Sequence, residues 1–474
     1  AARTRKRLTL AAGVRAMKIL ILGAGQVGST AAFSLAREEA NEVTIVDRNT
    51  DVLRELQDRL DVRTVVGNAS YPDVLERAGA READILIALT SSDEINMLAC
   101  QIAFTLFRTP TRIARIRARA LTAREALFGP DGIPVDVAIS PASLVTNYIE
   151  QLIRNPGALQ VLDFADGKLR LVATRANREG ALVGHPLRDL SKHIPNVECR
   201  VVAIYRGGRG ILPDGDTVVE EGDEVFFIAA LKDTRTVLRE MRKLDSPIRR
   251  VVIAGGGNIG LDLARAIEGS CQVKIIERDW QRARRISDEL ARAVVLHGDS
   301  ADEELLLEEN IDSTDVFVAV TNAEEANILS AMLAKRLGAR KVMALINKPA
   351  YAELVESGTI DIAISPQQIT LGSLLAHVRR GDVVKVHSLR RGAAEAIEAV
   401  AHGEARESRV VGRRIEEIQL PRGATISAIV RGDDVLMAHH DTEIKADDHV
   451  ILFIADRRQI DEVERLFEVG GTFV

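Results

Sequence analysis

The sequence predicts an α/β protein with two tandem Rossmann-like parallel-sheet domains, each followed by a small α+β C-terminal domain. Three observations predict this fold class. Apolar runs alternate with amphipathic helical patterns, which is typical of parallel sheets with right-handed crossovers. A glycine-rich turn follows a buried apolar run near residue 23 and again near residue 255. Further segments match in pairs, which indicates a tandem duplication with a period of roughly 225 residues.

The first glycine-rich turn has the features of a dinucleotide-binding loop. An apolar run at 19–22 leads into Gly23-x-Gly25-x-x-Gly28, and a helical pattern follows. We expect Gly23 to allow a tight turn, Gly25 to let the backbone approach a pyrophosphate, and Gly28 to let helix and strand pack closely. The helix N-terminus then offers free N–H groups to the phosphates. Asp47 closes the next apolar run and is suited to accept both hydroxyls of a ribose.

The second half repeats this loop. The strand at 250–254 leads into Gly255, Gly257 and Gly260, and Glu277 takes the place of Asp47. The other matched segments are 67–70 with 298–301, 85–91 with 316–322, 139–141 with 364–366, and 221–228 with 446–453.

The other elements of the first domain follow from periodicity and capping signals. Apolar positions 52, 53, 56 and 60 predict a helix from Thr50, and Pro72 is typical of a first helical turn. Residues 90–92 end a strand and cap the next helix. Further strands are predicted at 43–47, 63–66, 84–89 and 112–117. Residues 141–154 form a helix whose apolar stripe packs either on a partner helix or in an ordinary core, and 366–380 repeats it.

Ligands of such sheets bind beyond the carboxyl ends of the strands. This rule selects Asp47, Asn68, Ala69, Thr90, Ser91 and Arg115. For any single one of these residues, a turn or cap role is an equal alternative. Arg115 and Arg117 alternate to one face of the predicted strand, and one of them is suited to a bidentate phosphate contact. A solvated surface row is the alternative, which we favour for Arg119.

Residues 158–230 change to short alternating strands with tight turns, and 231–244 are predicted to be helical. The second half repeats this small module from about residue 382. The predicted domain limits are 1–16 for a disordered extension, 17–155 and 246–380 for the nucleotide-binding domains, and 156–245 and 381–474 for the small domains.

Composition excludes several classes of function. The net charge of −6 gives no electrostatic case for nucleic acid. No apolar stretch reaches the ~18–20 residues that a membrane helix needs, so a membrane link must involve a partner protein. The three cysteines, Cys100, Cys199 and Cys271, lack paired spacing, which fits a reducing cytoplasm and argues against a disulfide framework.

No catalytic or metal-binding pattern stands out in the sequence. The histidines are dispersed, no nucleophile and base have a recognisable spacing, and no Walker lysine follows either glycine loop. Two nucleotide-binding domains without evident catalytic residues indicate sensing rather than catalysis. The alternatives are a soluble NAD-dependent oxidoreductase and a degenerate fold that assembles but binds nothing.

Several motifs together resemble the TrkA family, the cytoplasmic regulatory subunits of bacterial Trk potassium uptake. They lie at 17–28, 112–117, 156–161, 222–230, 255–260, 361–368 and 388–403. The resemblance covers nearly everything from Met17 to Val474. It implies two regulator-of-conductance-of-potassium units and assembly of several chains, as a tetrameric ring, beneath a TrkH-like membrane subunit at the inner face of the cell membrane. Nucleotide state would set the shape of the ring. The family ligands are NAD(H) and, in some members, ATP or ADP.

The resemblance also implies which residues contact the nucleotide. In the first unit they are Gly23, Ala24, Gly25, Gln26, Val27, Gly28, Asp47, Asn68, Ala69, Thr90, Ser91 and Arg115. In the second unit they are Gly255, Gly256, Gly257, Asn258, Ile259, Glu277, Asp299, Ser300, Thr321 and Asn322. Several related regulators have an arginine between the second and third glycines, where this chain has Gln26 and Asn258, which weakens the case for ATP. Asp47 and Glu277 would repel a 2′-phosphate, which disfavours NADP.

Overall fold

A computed structural model describes residues 16–37, 41–129, 131–243, 246–348, 351, 359–378, 382–389 and 394–468. The extension predicted for 1–16 lies outside the described residues except for Ala16, as do the predicted limits at 245, 380, 381 and 474. The domain limits therefore stay predictions. Residue contacts divide the chain into two compact units, 1–141 and 142–474.

The first unit contains a six-stranded, all-parallel sheet in the order β3-β2-β1-β4-β5-β6. Its strands are Met17–Leu22 (β1), Asn41–Asp47 (β2), Arg63–Val66 (β3), Ile85–Ala88 (β4), Thr111–Arg115 (β5) and Val137–Ile139 (β6). Its helices are Gln26–Leu35 (α1), Thr50–Arg59 (α2), Pro72–Arg77 (α3), Asp93–Ile102 (α4) and Arg119–Thr122 (α5), with a π-helical turn at Ala103–Phe107. This strand order is that of the Rossmann fold, as predicted.

The second unit contains another parallel sheet with the matching order β14-β13-β12-β15-β16-β17. Its strands are Arg250–Ala254 (β12), Gln272–Glu277 (β13), Val294–His297 (β14), Val316–Ala319 (β15), Lys341–Leu345 (β16) and Ile362–Ile364 (β17). The helices around it are Asn258–Ile267 (α9), Trp280–Glu289 (α10), Glu303–Glu308 (α11), Glu324–Arg336 (α12) and Pro366–Leu375 (α13). The end of the helix predicted at 366–380 lies partly outside the described residues.

The same unit contains two five-stranded antiparallel sheets with equivalent strand orders, β10-β9-β11-β8-β7 and β21-β20-β22-β19-β18. The first sheet has Ala158–Phe164 (β7), Leu169–Arg175 (β8), Cys199–Arg206 (β9), Arg209–Ile211 (β10) and Glu224–Ala230 (β11). The second has Val383–Leu389 (β18), Ala394–Val400 (β19), Ala424–Arg431 (β20), Asp434–Met437 (β21) and His449–Ile454 (β22). Short helices lie at Leu190–His193 (α7), Thr234–Met241 (α8) and Ile460–Leu466 (α14). The predicted fold class is therefore confirmed.

The two antiparallel sheets bury a common hydrophobic core. Phe164 and Phe226 of the first sheet and Phe453 of the second are all at most 2% exposed in this core. Hydrogen bonds join the sheets at its margin: Gln160 Nε2 donates to the Ser388 carbonyl at 3.0 Å, and the Ala165 N–H donates to Glu398 at 2.9 Å. The two small domains thus pack on each other as a pair.

The helix Pro141–Arg154 (α6) was predicted with either of two packing partners. Its apolar residues Val145, Ile149 and Leu152 are fully buried in the core that also contains the second parallel sheet and α9. The Thr146 hydroxyl donates to the carbonyl of Ile259, in the first turn of α9, at 3.5 Å. The apolar stripe therefore lies in a hydrophobic core of its own unit, which is the second of the two alternatives, and the contact with α9 is made by the polar Thr146.

Two predicted elements are shorter in the structure. The strand predicted at 112–117 ends at Arg115, because the next residues turn to meet Asp93, which accepts the backbone N–H groups of Arg117 and Ala118 at 2.9 and 2.8 Å. Arg117 therefore does not share a strand face with Arg115, and this part of the prediction was wrong. The helix predicted at 231–244 begins with a 3-10 turn and is α-helical only over Thr234–Met241.

Candidate functional site

The first glycine loop joins β1 to α1, and its glycines have different roles. Gly23 has φ +99°, and a Cβ there would lie 2.9 Å from the backbone nitrogen of Thr90. A Cβ on Gly28 would collide with the Gly23 carbonyl oxygen at 1.9 Å. A Cβ on Gly25 would meet nothing within 4 Å. The first and third glycines are therefore required by packing, whereas the second leaves open space at the mouth of the loop.

The second loop repeats this arrangement between β12 and α9. Gly255 has φ +109°, and a Cβ there would lie 3.0 Å from Thr321 Cγ2. A Cβ on Gly260 would meet the Gly255 carbonyl oxygen at 1.9 Å. Next to Gly257 the nearest atom is Arg282 Nη1, 3.9 Å from the Cβ position. Both loops thus keep room for the close approach of a ligand, which fits a pyrophosphate.

The predicted acidic residues are held by the glycine loops. One oxygen of Asp47 accepts the Ala24 N–H at 2.6 Å and the other accepts the Asn49 N–H at 2.8 Å. Glu277 accepts the Gly256 N–H and the Asp279 N–H, both at 2.8 Å. Each carboxylate oxygen retains further lone pairs, and the backbone contacts fix its direction.

The helices α1 and α9 begin at Gln26 and Asn258 without a side-chain cap, because their N-cap residues are glycines. Both of these polar residues are exposed, and the next residues, Val27 and Ile259, are half-buried. Among the described residues, no side chain accepts a capping hydrogen bond from the first-turn N–H groups of either helix. An anion at this end would complete their hydrogen bonding and interact favourably with the helix dipole.

The residues predicted after the third strand of each sheet serve mainly in turns. Asn68 Oδ1 accepts the Ser70 N–H at 3.1 Å, and Asp299 Oδ1 accepts the Ala301 N–H at 2.9 Å. Ala69 is buried in the hydrophobic core, and Ser300 is also buried. The turn alternative therefore accounts for the polar side chains Asn68 and Asp299. In the first site this turn still lies beside the acidic residue, because the Gly67 N–H donates to the Asp47 carbonyl at 2.9 Å.

Two buried asparagines that sequence reasoning missed organise the strand ends. Asn96 Oδ1 accepts the N–H of Thr90 at 2.9 Å and its hydroxyl at 2.6 Å, and Nδ2 donates to the Arg115 carbonyl at 2.8 Å. Asn327 does the same for Thr321, at 2.8 and 2.6 Å, and donates to the next strand at 3.2 Å. Sequence reasoning could have found them, because an asparagine stands six residues after the threonine at the end of the strand in both halves of the chain. These hydrogen bonds hold the backbone after the fourth strand of each parallel sheet against α4 in the first site and against α12 in the second site.

The two sites differ at the fifth strand. Arg115 ends β5, and its Nε is buried with no hydrogen-bond partner among the described residues. Burial lowers the pKa of this guanidinium, Arg117 lowers it further, and Asp93 raises it. The matching residue of β16 is Leu345, which is buried and apolar. Ser91 and Asn322 are exposed, and the carbonyl of Ser91 accepts from Arg117.

The described residues contain no cluster of three or more histidine, cysteine, aspartate or glutamate side chains arranged for a metal ion. Within the same part of the chain, no helix is both long and apolar enough to span a membrane.

Sequence profiles of known domains match most of the chain. The TrkA-N domain matches residues 19–141 and 251–366, and the TrkA-C domain matches residues 172–242 and 405–468. The Trk system potassium uptake protein TrkA of Halomonas elongata is 59% identical over 457 residues, 96% of this chain and 100% of that protein. The protein of the same name from Vibrio alginolyticus is 57% identical over 459 residues, with 97% and 100% covered.

Solved structures share the fold at low identity. The RCK domain of GsuK aligns with a TM-score of 0.60 and 18% identity, covering 97% of this chain and 96% of that chain. The GsuK channel bound to NAD aligns with a TM-score of 0.59 and 18% identity, covering 96% and 80%. The profiles and the close relatives together show that the chain belongs to the TrkA family, whose members are regulatory potassium-transport proteins and not enzymes.

Proposed function

We propose that the chain is the nucleotide-sensing, gating-ring subunit of a Trk-type potassium uptake system. It binds NAD(H) at both glycine loops and transmits its nucleotide state to an integral-membrane, TrkH-like subunit. It acts at the cytoplasmic face of the cell membrane through that partner, and its chains assemble into a tetrameric ring. The family assignment supports the role in potassium transport, and the solved GsuK channel was bound to NAD.

One observation carries the proposal for both sites. Asp47 and Glu277 each accept a backbone N–H from their own glycine loop, at 2.6 and 2.8 Å. Each loop therefore places a carboxylate for a ribose beside an uncapped helix N-terminus for a pyrophosphate. The same geometry occurs in both parallel sheets, which have the same strand order, and this supports the proposal that both sites bind the same class of ligand.

ADP and ATP are proposed as further ligands. They share the adenosine diphosphate half with NAD(H), and this half makes the ribose and pyrophosphate contacts described above. Arg115 gives the first site a guanidinium at the level of the glycine loop. Leu22 of β1 and Ala114 of β5 are both register partners of Ala88 in β4, and Gly23 and Arg115 are the residues that follow them. The buried Nε of Arg115, which has no hydrogen-bond partner in the described part of the chain, is suited to an anionic group.

Isothermal titration calorimetry with NADH, ADP and ATP tests this function. We expect saturable binding to the wild-type chain and weaker binding in Asp47→Ala and Glu277→Ala, each with the loss of one site. Light scattering with and without nucleotide checks the tetrameric assembly. If no nucleotide binds at millimolar concentration, or neither substitution weakens binding, the proposed site is wrong.

A further inference from the structure

The second glycine loop lies next to an exposed tryptophan that the fold does not require. Trp280 is the only tryptophan of the chain and the first residue of α10, three residues after Glu277, and 62% of it is exposed. Its position is fixed, because the Asp279 N–H donates to Glu277 and Asp279 in turn accepts the Arg282 N–H at 2.7 Å. The buried residues of α10 are Ala283 and Ile286, so the tryptophan adds nothing to the core.

A histidine lies beside this tryptophan. His297 ends β14 and is the register partner of Glu277, and its ring centroid is 5.3 Å from that of Trp280 with the two planes at 80°. His297 Nε2 is 3.1 Å from the Arg278 carbonyl oxygen. Because a carbonyl only accepts, Nε2 carries the proton in the neutral ring and Nδ1 is an acceptor. Among the described residues, none contacts Nδ1 by a hydrogen bond.

A cation from the same helix reaches the glycine loop. Arg282 Nη1 is the atom nearest to the Cβ position of Gly257, at 3.9 Å, where we expect the pyrophosphate. No carboxylate of the described residues forms an ion pair with this half-buried guanidinium. A guanidinium held at a glycine loop without a carboxylate is suited to a phosphate.

The first site has none of these three side chains. Its residues at the matching positions are Thr50, Val52 and Val66, by the register in which Asp47 pairs with Val66 as Glu277 pairs with His297. The same loop, strand order and helix form without an aromatic pair or an arginine there. The tryptophan, histidine and arginine therefore belong to the chemistry of the second site and not to its scaffold.

We infer that Trp280, His297 and Arg282 form a subsite for the adenosine diphosphate half of the ligand, specific to the second site. The indole stacks on the adenine, His297 Nδ1 accepts from the adenine amino group, and Arg282 binds the diphosphate. Guanine presents a carbonyl oxygen in place of that amino group, so the histidine selects against it. This inference rests on the proposed function and names the part of the ligand that the second site recognises.

All three contacts fall on the adenosine diphosphate half, so ADP alone is sufficient for this site. Base stacking on an aromatic side chain is sequence-tolerant and strong enough to be measured by substitution. The single tryptophan gives a direct readout, because its fluorescence reports the second site only. The test therefore follows Trp280 emission while ADP is added to the full chain.

We expect saturable quenching by ADP in the Asp47→Asn background, in which binding at the first site is weakened about 10- to 100-fold. By calorimetry in that background, Trp280→Thr and Arg282→Val each weaken ADP binding by about 10-fold. Both substitutions introduce the residue of the first site, so the fold tolerates them. Trp280→Phe retains most of the affinity, and the exposed Arg284→Val on the same helix is the matched control with unchanged binding.

GDP is expected to bind about 10-fold more weakly than ADP, and His297→Val removes this difference. The inference is overturned, and the proposed function left intact, if ADP does not quench Trp280 emission and if Trp280→Thr and Arg282→Val bind ADP with unchanged affinity. Absence of any nucleotide at the second site overturns both. Emission that varies with protein concentration and not with ADP identifies Trp280 as a contact between copies, which also overturns it.

Discussion

Glu277 accepts the backbone N–H of Gly256 at 2.8 Å, which ties the acidic end of β13 to the glycine loop of the same domain. Its second oxygen accepts the Asp279 N–H, so the carboxylate bridges two turns. Asp47 makes the equivalent pair of contacts in the first unit. The acidic residue thus has a structural role in addition to the expected ribose contact, and its substitution affects both.

Glu277→Gln tests this double role. An amide places an NH₂ group toward one of the two backbone donors and provides a weaker acceptor for the ribose. Because a hydrogen bond to a charged group contributes about 1.5–3 kcal/mol, we expect nucleotide affinity at the second site to fall about 10- to 100-fold in calorimetry. Asp288→Asn, an exposed carboxylate on the following helix α10, is the control. Equal affinities of Glu277→Gln and wild type would contradict this account.

Asn96→Leu is expected to lower the free energy of unfolding by about 3 kcal/mol. The asparagine is fully buried, and its removal leaves the Thr90 N–H and the Arg115 carbonyl without their partner. Denaturant titration followed by circular dichroism measures the loss. Gln101→Leu, farther along the same helix, should change stability by less than about 1 kcal/mol. A tolerated Asn96→Leu would show that the strand ends do not depend on this side chain.

Stability is expected to fall between pH 7 and pH 5 because of His387. Burial, followed by the nearby Lys385, lowers its pKa from 6.5 to about 4, although Asp163 acts in the opposite direction. As pH falls below 6.5, the unfolded chain takes up this proton before the folded chain does, so folding loses about 2 kcal/mol by pH 5.

The variant His387→Phe is expected to remove this pH-dependent loss. Phenylalanine suits the site, because the His387 ring already packs edge-on against Phe164 at 5.1 Å and its Nε2 is buried without a hydrogen-bond partner in the described structure. Unfolding in urea at pH 7 and pH 5 measures the difference, with the exposed His439→Gln as control. Equal pH slopes for wild type and His387→Phe would refute this assignment.

Arg431→Met is expected to destabilise the second small domain by about 3 kcal/mol, because it leaves a buried charge without its partner. Asp448 is fully buried, and Arg431 donates to its two oxygens at 2.8 and 2.7 Å, a contact that raises the pKa of the arginine. Thermal unfolding measures the change. Arg458→Met removes an exposed ion pair and should cost less than about 1 kcal/mol. Similar melting curves for both variants would contradict the prediction.

The parts of the fold that depend on local pattern could be predicted from the sequence. Buried strands, glycine turns and the helix Pro141–Arg154 have periodicities and caps that fix them within a few residues. The limits of β5 could not be predicted, because Arg112–Arg117 has a uniform alternation and the strand ends where Asp93, 24 residues away, binds the following backbone. A long-range hydrogen bond of this kind leaves no local signal.

Only part of the site could be predicted, because some of its residues act through long-range hydrogen bonds that leave no local sequence pattern. The glycines and acidic residues form a motif with fixed spacing, whereas Asn96 and Asn327 act through backbone groups of neighbouring strands and look like ordinary helix residues. The proximity of Arg282 to the glycine loop could not be predicted from the sequence, because it depends on how α10 packs beside Gly257. In contrast, Asn68 and Asp299 match the family pattern, yet their side chains are engaged in turns.

The central claim is that nucleotide occupancy of the two glycine loops controls potassium transport. The most direct measurement is potassium flux through the membrane subunit in vesicles, with this chain added and NADH titrated. We predict a flux that changes with NADH at the concentration at which calorimetry shows binding, and a response shifted to about 10- to 100-fold higher NADH with the Asp47→Asn/Glu277→Gln double variant. A flux that ignores NADH, or that responds equally with the double variant, would contradict the account.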